Sequence, residues 1–212
     1  MKNLFKLTGF RRYFANTSWL IAEKIIRLAV GLFVGVWVAR FLGPEQFGAL
    51  SYAQAFVGLF GAFATLGMDG IVIKNLVKDD ENRDLLLGTT FTLKLLGAMV
   101  AVFIISIVTV TTSNNNKEVI IITIIASSLV FQSLNVIDFY FQSIVLSRYI
   151  VIVNLISQLF VSIIRIALIL AEAPLITFAY VILFDAVILA VGYIYVYKHK
   201  NLFFRQWNFN KK

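Results

Sequence analysis

Six apolar runs, at roughly 17–38, 47–67, 88–110, 119–141, 150–170 and 175–197, make up most of this chain. Each is near the roughly twenty residues that an α-helix needs to cross a hydrocarbon core of ~30 Å. The expected fold is therefore an all-α membrane protein, a bundle of six transmembrane helices. Composition agrees: 60% of the residues are hydrophobic and only 14% are charged, which no ordinary soluble domain shows. There is no cysteine, so disulfides and thiolate metal sites are excluded. The single histidine, His199, lies in a basic tail, which argues against a histidine metal site or a Ser-His-Asp triad. No cofactor is expected. The first apolar run is too long and too charged for a cleaved signal peptide.

The segments between the runs set the organisation. Residues 1–15 mix Lys2, Lys6, Arg11 and Arg12 with Leu4, Phe5, Leu7, Phe10, Tyr13 and Phe14, a pattern for an amphipathic basic segment on an anionic leaflet. Residues 16–200 hold the bundle, and 201–212 form a basic tail or linker. The stretch after the second run, MDGIVIKNLVKDDENRDLLL, reads as an interfacial helix or folded loop, and its acidic run Asp79-Asp80-Glu81 as a solvated one. Of the nineteen Lys and Arg residues, thirteen fall on the side shared by both termini and two, Arg40 and Lys117, on the other. Both termini are therefore expected in the cytoplasm. Topology accounts for the net charge of +8, and nucleic acid is not an expected partner.

The remaining basic residues, Lys24, Arg27, Lys94 and Arg165, lie inside the runs, as do Glu23, Asp138 and Asp185. Charge at membrane depth costs roughly 2.5–3.5 kcal/mol on insertion scales and is rare unless it faces protein or water. On a helix, Lys24, Arg27, Gly31 and Gly35 share one stripe with Glu23 at its edge. Glu23 and Arg27 are i,i+4 neighbours in the favourable order. Two readings stay open: the charges snorkel to the cytoplasmic interface, or they line a cavity for an anionic ligand. Lys94 and Asp138 fall in the same half of the bundle, either as a structural pair or as part of that cavity. Arg165 and Asp185 form a candidate structural or coupling ion pair between the last two helices. In the fourth run Gln132, Asn135, Asp138 and Gln142 share a face, which either bonds neighbouring helices or lines an aqueous path. Gly58, Gly61 and Ala62 are candidates for close helix contact. No catalytic motif is present: there is no H-E-x-x-H, P-loop or G-x-S-x-G.

At RFLGPEQFGALSYAQAF the chain resembles a polysaccharide (O-antigen) flippase of the multidrug/oligosaccharidyl-lipid/polysaccharide exporter superfamily, whose first span ends in a similar R-x-L-G-P-x-x-x-G turn. Arg40, Leu42, Gly43, Pro44 and Gly48 match it. IDFYFQSIVLSRYI at 137–150 and the tail FFRQWNFNKK are similar to later elements of the family. The resemblance implies one lobe, the N-terminal one, of a two-lobed exporter in the bacterial inner membrane. It implies an undecaprenyl-diphosphate-linked glycan as substrate, taken up in a central cationic cavity, with membrane lipids and a second lobe or another membrane subunit as partners. Lys24, Arg27, Glu23, Lys94 and Asp138 are then substrate-binding candidates, and the chain is a transporter rather than an enzyme. The competing readings are a drug or ion antiporter lobe of the same superfamily, a membrane glycosyltransferase or polymerase acting on the same lipid, and a truncated lobe without transport.

Overall fold

The computed structural model describes residues 2–65, 67–79, 82–113, 115–200, 202 and 207, with side chains from Tyr13 onward. Every regular element among them is helical. The basic side chains of residues 2–12 and of Arg205, Lys211 and Lys212, and the acidic pair Asp80-Glu81, lie outside what is described. The first helix, α1 (Lys2–Ala64), is bent at Gly43, with φ 70° and ψ 172°. Glycine takes this positive φ without a Cβ penalty, and Pro44 disfavours αR in the residue before it, so GP breaks the helix into arms 2–42 and 44–64. The basic N-terminal segment is continuous with the first arm rather than a separate element. Next come α2 (Asp69–Lys78), α3 (Arg83–Thr112) and α4 (Asn116–Gln132). A 3₁₀ turn (Ser133–Asn135), α5 (Val136–Ser143), α6 (Arg148–Leu170) and α7 (Leu175–His199) complete the chain.

Five helical stretches among the described residues are long and apolar enough to cross a membrane: Tyr13–Lys78, Arg83–Thr112, Asn116–Ser143, Arg148–Leu170 and Leu175–His199. The six runs become five stretches because the first two stay joined through the bend at Gly43. The fourth run is one stretch by composition but two helices by geometry, since the 3₁₀ turn interrupts it after Gln132. The segment after the second run folds as α2, a short amphipathic helix that buries Val72 and Leu76.

The buried residues form two apolar clusters at opposite ends of the bundle. One joins Leu42 and Leu50, on either side of the bend, to Ile105 late in α3, Ile121 early in α4 and Phe178 early in α7. Small residues let helices approach here, with Ala53, Ala126 and Ala179 almost wholly buried. The other cluster joins Leu87 early in α3, Val136 to Phe141 of α5, Ile150 early in α6, and Tyr193 and Tyr197 late in α7. It is aromatic, with Trp207 of the tail packed edge-on against Phe91 and Tyr197. Close backbone contact occurs at Gly97, where a Cβ would stand 2.6 Å from the Ala64 carbonyl oxygen. Of the small residues expected at a helix contact, Gly61 lies near Leu129, whereas Gly58 faces open space and Ala62 is exposed.

Candidate functional site

Most of the charged side chains inside the helices gather where the aromatic cluster meets the first arm of α1. Glu23 is buried, and a buried carboxylate must be paired or hydrogen-bonded. Its Oε1 accepts from Asn154 Nδ2 of α6 at 2.8 Å and from Arg27 Nη1 at 3.4 Å. Asn154 Oδ1 accepts in turn from the Tyr193 hydroxyl of α7 at 2.8 Å. Three helices are thus tied through the Asn154 amide, and the Glu23 carboxylate also orients a guanidinium. The Arg27 side chain remains 41% exposed, and its other N–H groups have no protein partner among the described residues. Lys24 is exposed beside it, and a Cβ at Gly31 or Gly35 would meet nothing within 4 Å. The stripe foreseen in the sequence is an open face of the bundle, with one edge held by Glu23.

Lys94 and Asp138 do not pair with each other. Lys94, only 4% exposed, donates to Asp69 Oδ1 at 2.8 Å and lies 4.3 Å from the Phe139 ring centroid. Asp69 opens α2, and that short helix brings a half-exposed carboxylate over the buried ammonium. Asp138 Oδ2 accepts from Gln142 Nε2 at 3.0 Å, while Oδ1 is buried and has no partner. Leaving a buried acceptor unmet costs about 1–3 kcal/mol, so this oxygen is a ready seat for a proton or a ligand donor. The polar face of the fourth run is satisfied largely within its own helices: Gln142 bonds Asp138, and Gln132 Nε2 donates to Ser128 Oγ at 3.4 Å. The 3₁₀ turn separates these two pairs.

The expected ion pair of Arg165 with Asp185 is not formed. Asp185 Oδ1 accepts from Ser157 Oγ at 2.7 Å, and the ion pairs among the described residues are Arg27–Glu23, Arg83–Asp84 and Lys94–Asp69. Register explains this. Antiparallel packing of α6 on α7 sets Val153 against Gly192 and Ser157 against Asp185. Arg165 therefore lies eight residues beyond Ser157, about 12 Å along α6 at 1.5 Å per residue.

Asp69, Asn154, Tyr193 and Ser157 are the polar partners that the sequence reading missed. Asn154 shares one helical face of the fifth run with Ser157, Gln158, Ser162 and Arg165, a spacing that could have flagged it. The cue for Asp69 is its place at the start of a short amphipathic segment near a run that contains a lysine. A cleft of about 740 Å³ lies at the other end of the bundle, bordered by Glu45, Gln46, Tyr52, Asn115, Lys117 and Pro174. It is open and far from the in-span charges, so the charged face rather than this cleft is the candidate site.

A family model described as polysaccharide biosynthesis protein matches residues 13–212. The chain belongs to this family. No curated protein and no solved structure matches it. The match begins at Tyr13 and takes in the whole bundle, including the bend at Gly43 and the Glu23–Arg27 pair. Family membership together with the long apolar helices makes this a multi-pass membrane protein with a role in polysaccharide synthesis or export.

Proposed function

We propose that this polysaccharide biosynthesis protein moves an undecaprenyl-diphosphate-linked oligosaccharide across the bacterial inner membrane, as a transporter and not as an enzyme. The two arms of α1 cross the membrane separately, which with the other four stretches gives six crossings and both termini in the cytoplasm. The observation that carries the reading is the display of Arg27. Glu23 and Asn154 fix one side of its setting, while its remaining donors face the open side with Lys24 nearby. A guanidinium offers a planar fork to diphosphate oxygens, and the neighbouring ammonium adds a point charge. Such a face completes a substrate path when a second helical bundle stands opposite, as in exporters that bind between repeated bundles. That bundle is the partner expected of this chain, from a second lobe or another membrane subunit.

In cells that depend on this protein, Arg27→Ala should abolish surface polysaccharide while membrane abundance stays near normal. Arg27→Lys keeps the charge without the fork and should retain part of the activity. Full polysaccharide at normal abundance in Arg27→Ala would overturn the assignment. The unmet oxygen of Asp138 favours a second reading, an antiporter lobe that exchanges a solute for a small cation. Under that reading Asp138→Asn would abolish cation-driven efflux of the solute and leave surface polysaccharide intact.

A further inference from the structure

A second cationic feature lies where α6 begins and α7 ends, away from the Arg27 face. Arg148 Nη2 and Lys200 Nζ both donate to the Tyr149 hydroxyl oxygen, at 2.8 and 3.0 Å. Both cations also sit over the Tyr149 ring, 4.8 and 4.1 Å from its centroid. Both are exposed, and among the described residues neither meets a carboxylate. Two like charges drawn onto one neutral oxygen repel each other, and a phenol oxygen is a weak counterweight. The group that would satisfy both is an anion.

The chemistry around that point is specific. Because the Tyr149 oxygen accepts from two donors, its own hydroxyl hydrogen is left to donate outward. A guanidinium, an ammonium and a phenolic O–H thus converge, and together they match the oxygens of a phosphodiester. The loop that leads into Arg148 and Tyr149 is fixed. Ser147, wholly buried, donates its backbone N–H to Asn16 Oδ1 at 2.9 Å, and Asn16 Nδ2 donates to Ser147 Oγ at 3.1 Å. Depth points to the source of the phosphate. The site caps two apolar helices long enough to cross a membrane, at the end of the bundle that holds Tyr197 and Trp207, where aromatic residues and anionic headgroups meet.

We propose that Arg148, Tyr149 and Lys200 seat the phosphate of an anionic phospholipid headgroup in the leaflet at this end of the bundle. The site is independent of substrate handling at Arg27.

Native mass spectrometry of the purified chain with equal amounts of phosphatidylglycerol and phosphatidylcholine of the same acyl chains tests this. The native chain should retain phosphatidylglycerol by roughly thirtyfold over phosphatidylcholine, the size expected of two basic side chains at an anionic surface. Arg148→Gln with Lys200→Gln should bring the ratio close to one, and Lys200→Gln alone, at an exposed helix end, should lower it partway. The charge-keeping exchange Arg148→Lys with Lys200→Arg should hold most of it. Arg27→Ala should leave the ratio unchanged, which separates this site from the transport reading. An unchanged ratio in the glutamine variants would overturn the proposal. So would loss of phosphatidylglycerol from the native chain on adding inorganic phosphate, since the site would then be one for free phosphate.

Discussion

Arg27 and Arg165 both interrupt apolar helices, but the bundle treats them differently. Arg27 meets Glu23 one turn back on its own helix, and Asn154 and Tyr193 extend that contact into α6 and α7. Arg165 sits about two turns from the nearest in-span carboxylate, Asp185, which Ser157 already engages. Around Arg27 the polar groups answer one another across three helices and leave the cation open on one face. Arg165 stands in the second half of α6, where Leu168 and Ile169 pack into the cluster near the bend, and no hydrogen bond or ion pair to it is found among the described residues. Pairing inside a membrane protein thus follows helix register more than the number of opposite charges available.

The largest expected effect lies at the third in-span cation, Lys94, which is the best buried. Asp69→Ala would strand that ammonium. Breaking a buried pair from one side costs about 3–5 kcal/mol, and the half-exposed setting of Asp69 reduces this toward 2–3 kcal/mol. Lys94→Met leaves only a carboxylate that can turn to water, so it should cost under about 1 kcal/mol. Unfolding of the two variants in micelles, followed by helical signal, checks the asymmetry. Equal losses would mean that Lys94 reaches solvent or another partner.

Asn154→Leu should come next. It removes one donor from Glu23, which Arg27 still engages, and leaves the Tyr193 hydroxyl unmet, and one buried group left unmet costs about 1–3 kcal/mol. Tyr193→Phe removes only the far end of the chain and should cost about 1 kcal/mol. If Tyr193→Phe proved as damaging as Asn154→Leu, the order of the network from Glu23 outward would be wrong. The smallest expected effect concerns Arg165 with Asp185. In a double-mutant cycle their coupling should be below about 0.5 kcal/mol, as for sites without a shared contact. Ser157→Ala and Asp185→Asn should couple more strongly. A coupling of 1 kcal/mol or more between Arg165 and Asp185 would restore the ion pair that register removes.

Much of the architecture was legible before any coordinates. The long apolar runs and the Gly43-Pro44 break are local signals that the structure keeps, although the first two runs stay joined in one bent helix. The amphipathic segment at α2 was visible for the same reason. The site was legible only along the chain: Glu23, Lys24 and Arg27 share a face by helical periodicity, and the i,i+4 pair forms. What failed needed register between helices. Lys94 was set against Asp138 because both lie in the same half, yet α2 delivers Asp69 first. Arg165 was set against Asp185 by depth alone, and a difference of two turns along α6 separates them. Asn154 lies on a helically spaced polar face with Ser157, Gln158 and Ser162 that was not read, and its meaning comes from a partner 131 residues away. The interruption of the fourth run at Ser133–Asn135 had no proline or glycine to announce it.

The central claim, that Arg27 presents its donors to a diphosphate and Arg165 does not, is tested most directly by binding. A short-chain polyprenyl diphosphate would be titrated into the purified chain held in phosphatidylcholine nanodiscs, with Arg27→Ala and Arg165→Ala alongside. A charge-assisted hydrogen bond is worth about 1.5–3 kcal/mol. Arg27→Ala should therefore raise Kd by about 10- to 100-fold, while Arg165→Ala should leave it within about twofold. Equal affinities for the native chain and Arg27→Ala, or a loss confined to Arg165→Ala, would contradict the account.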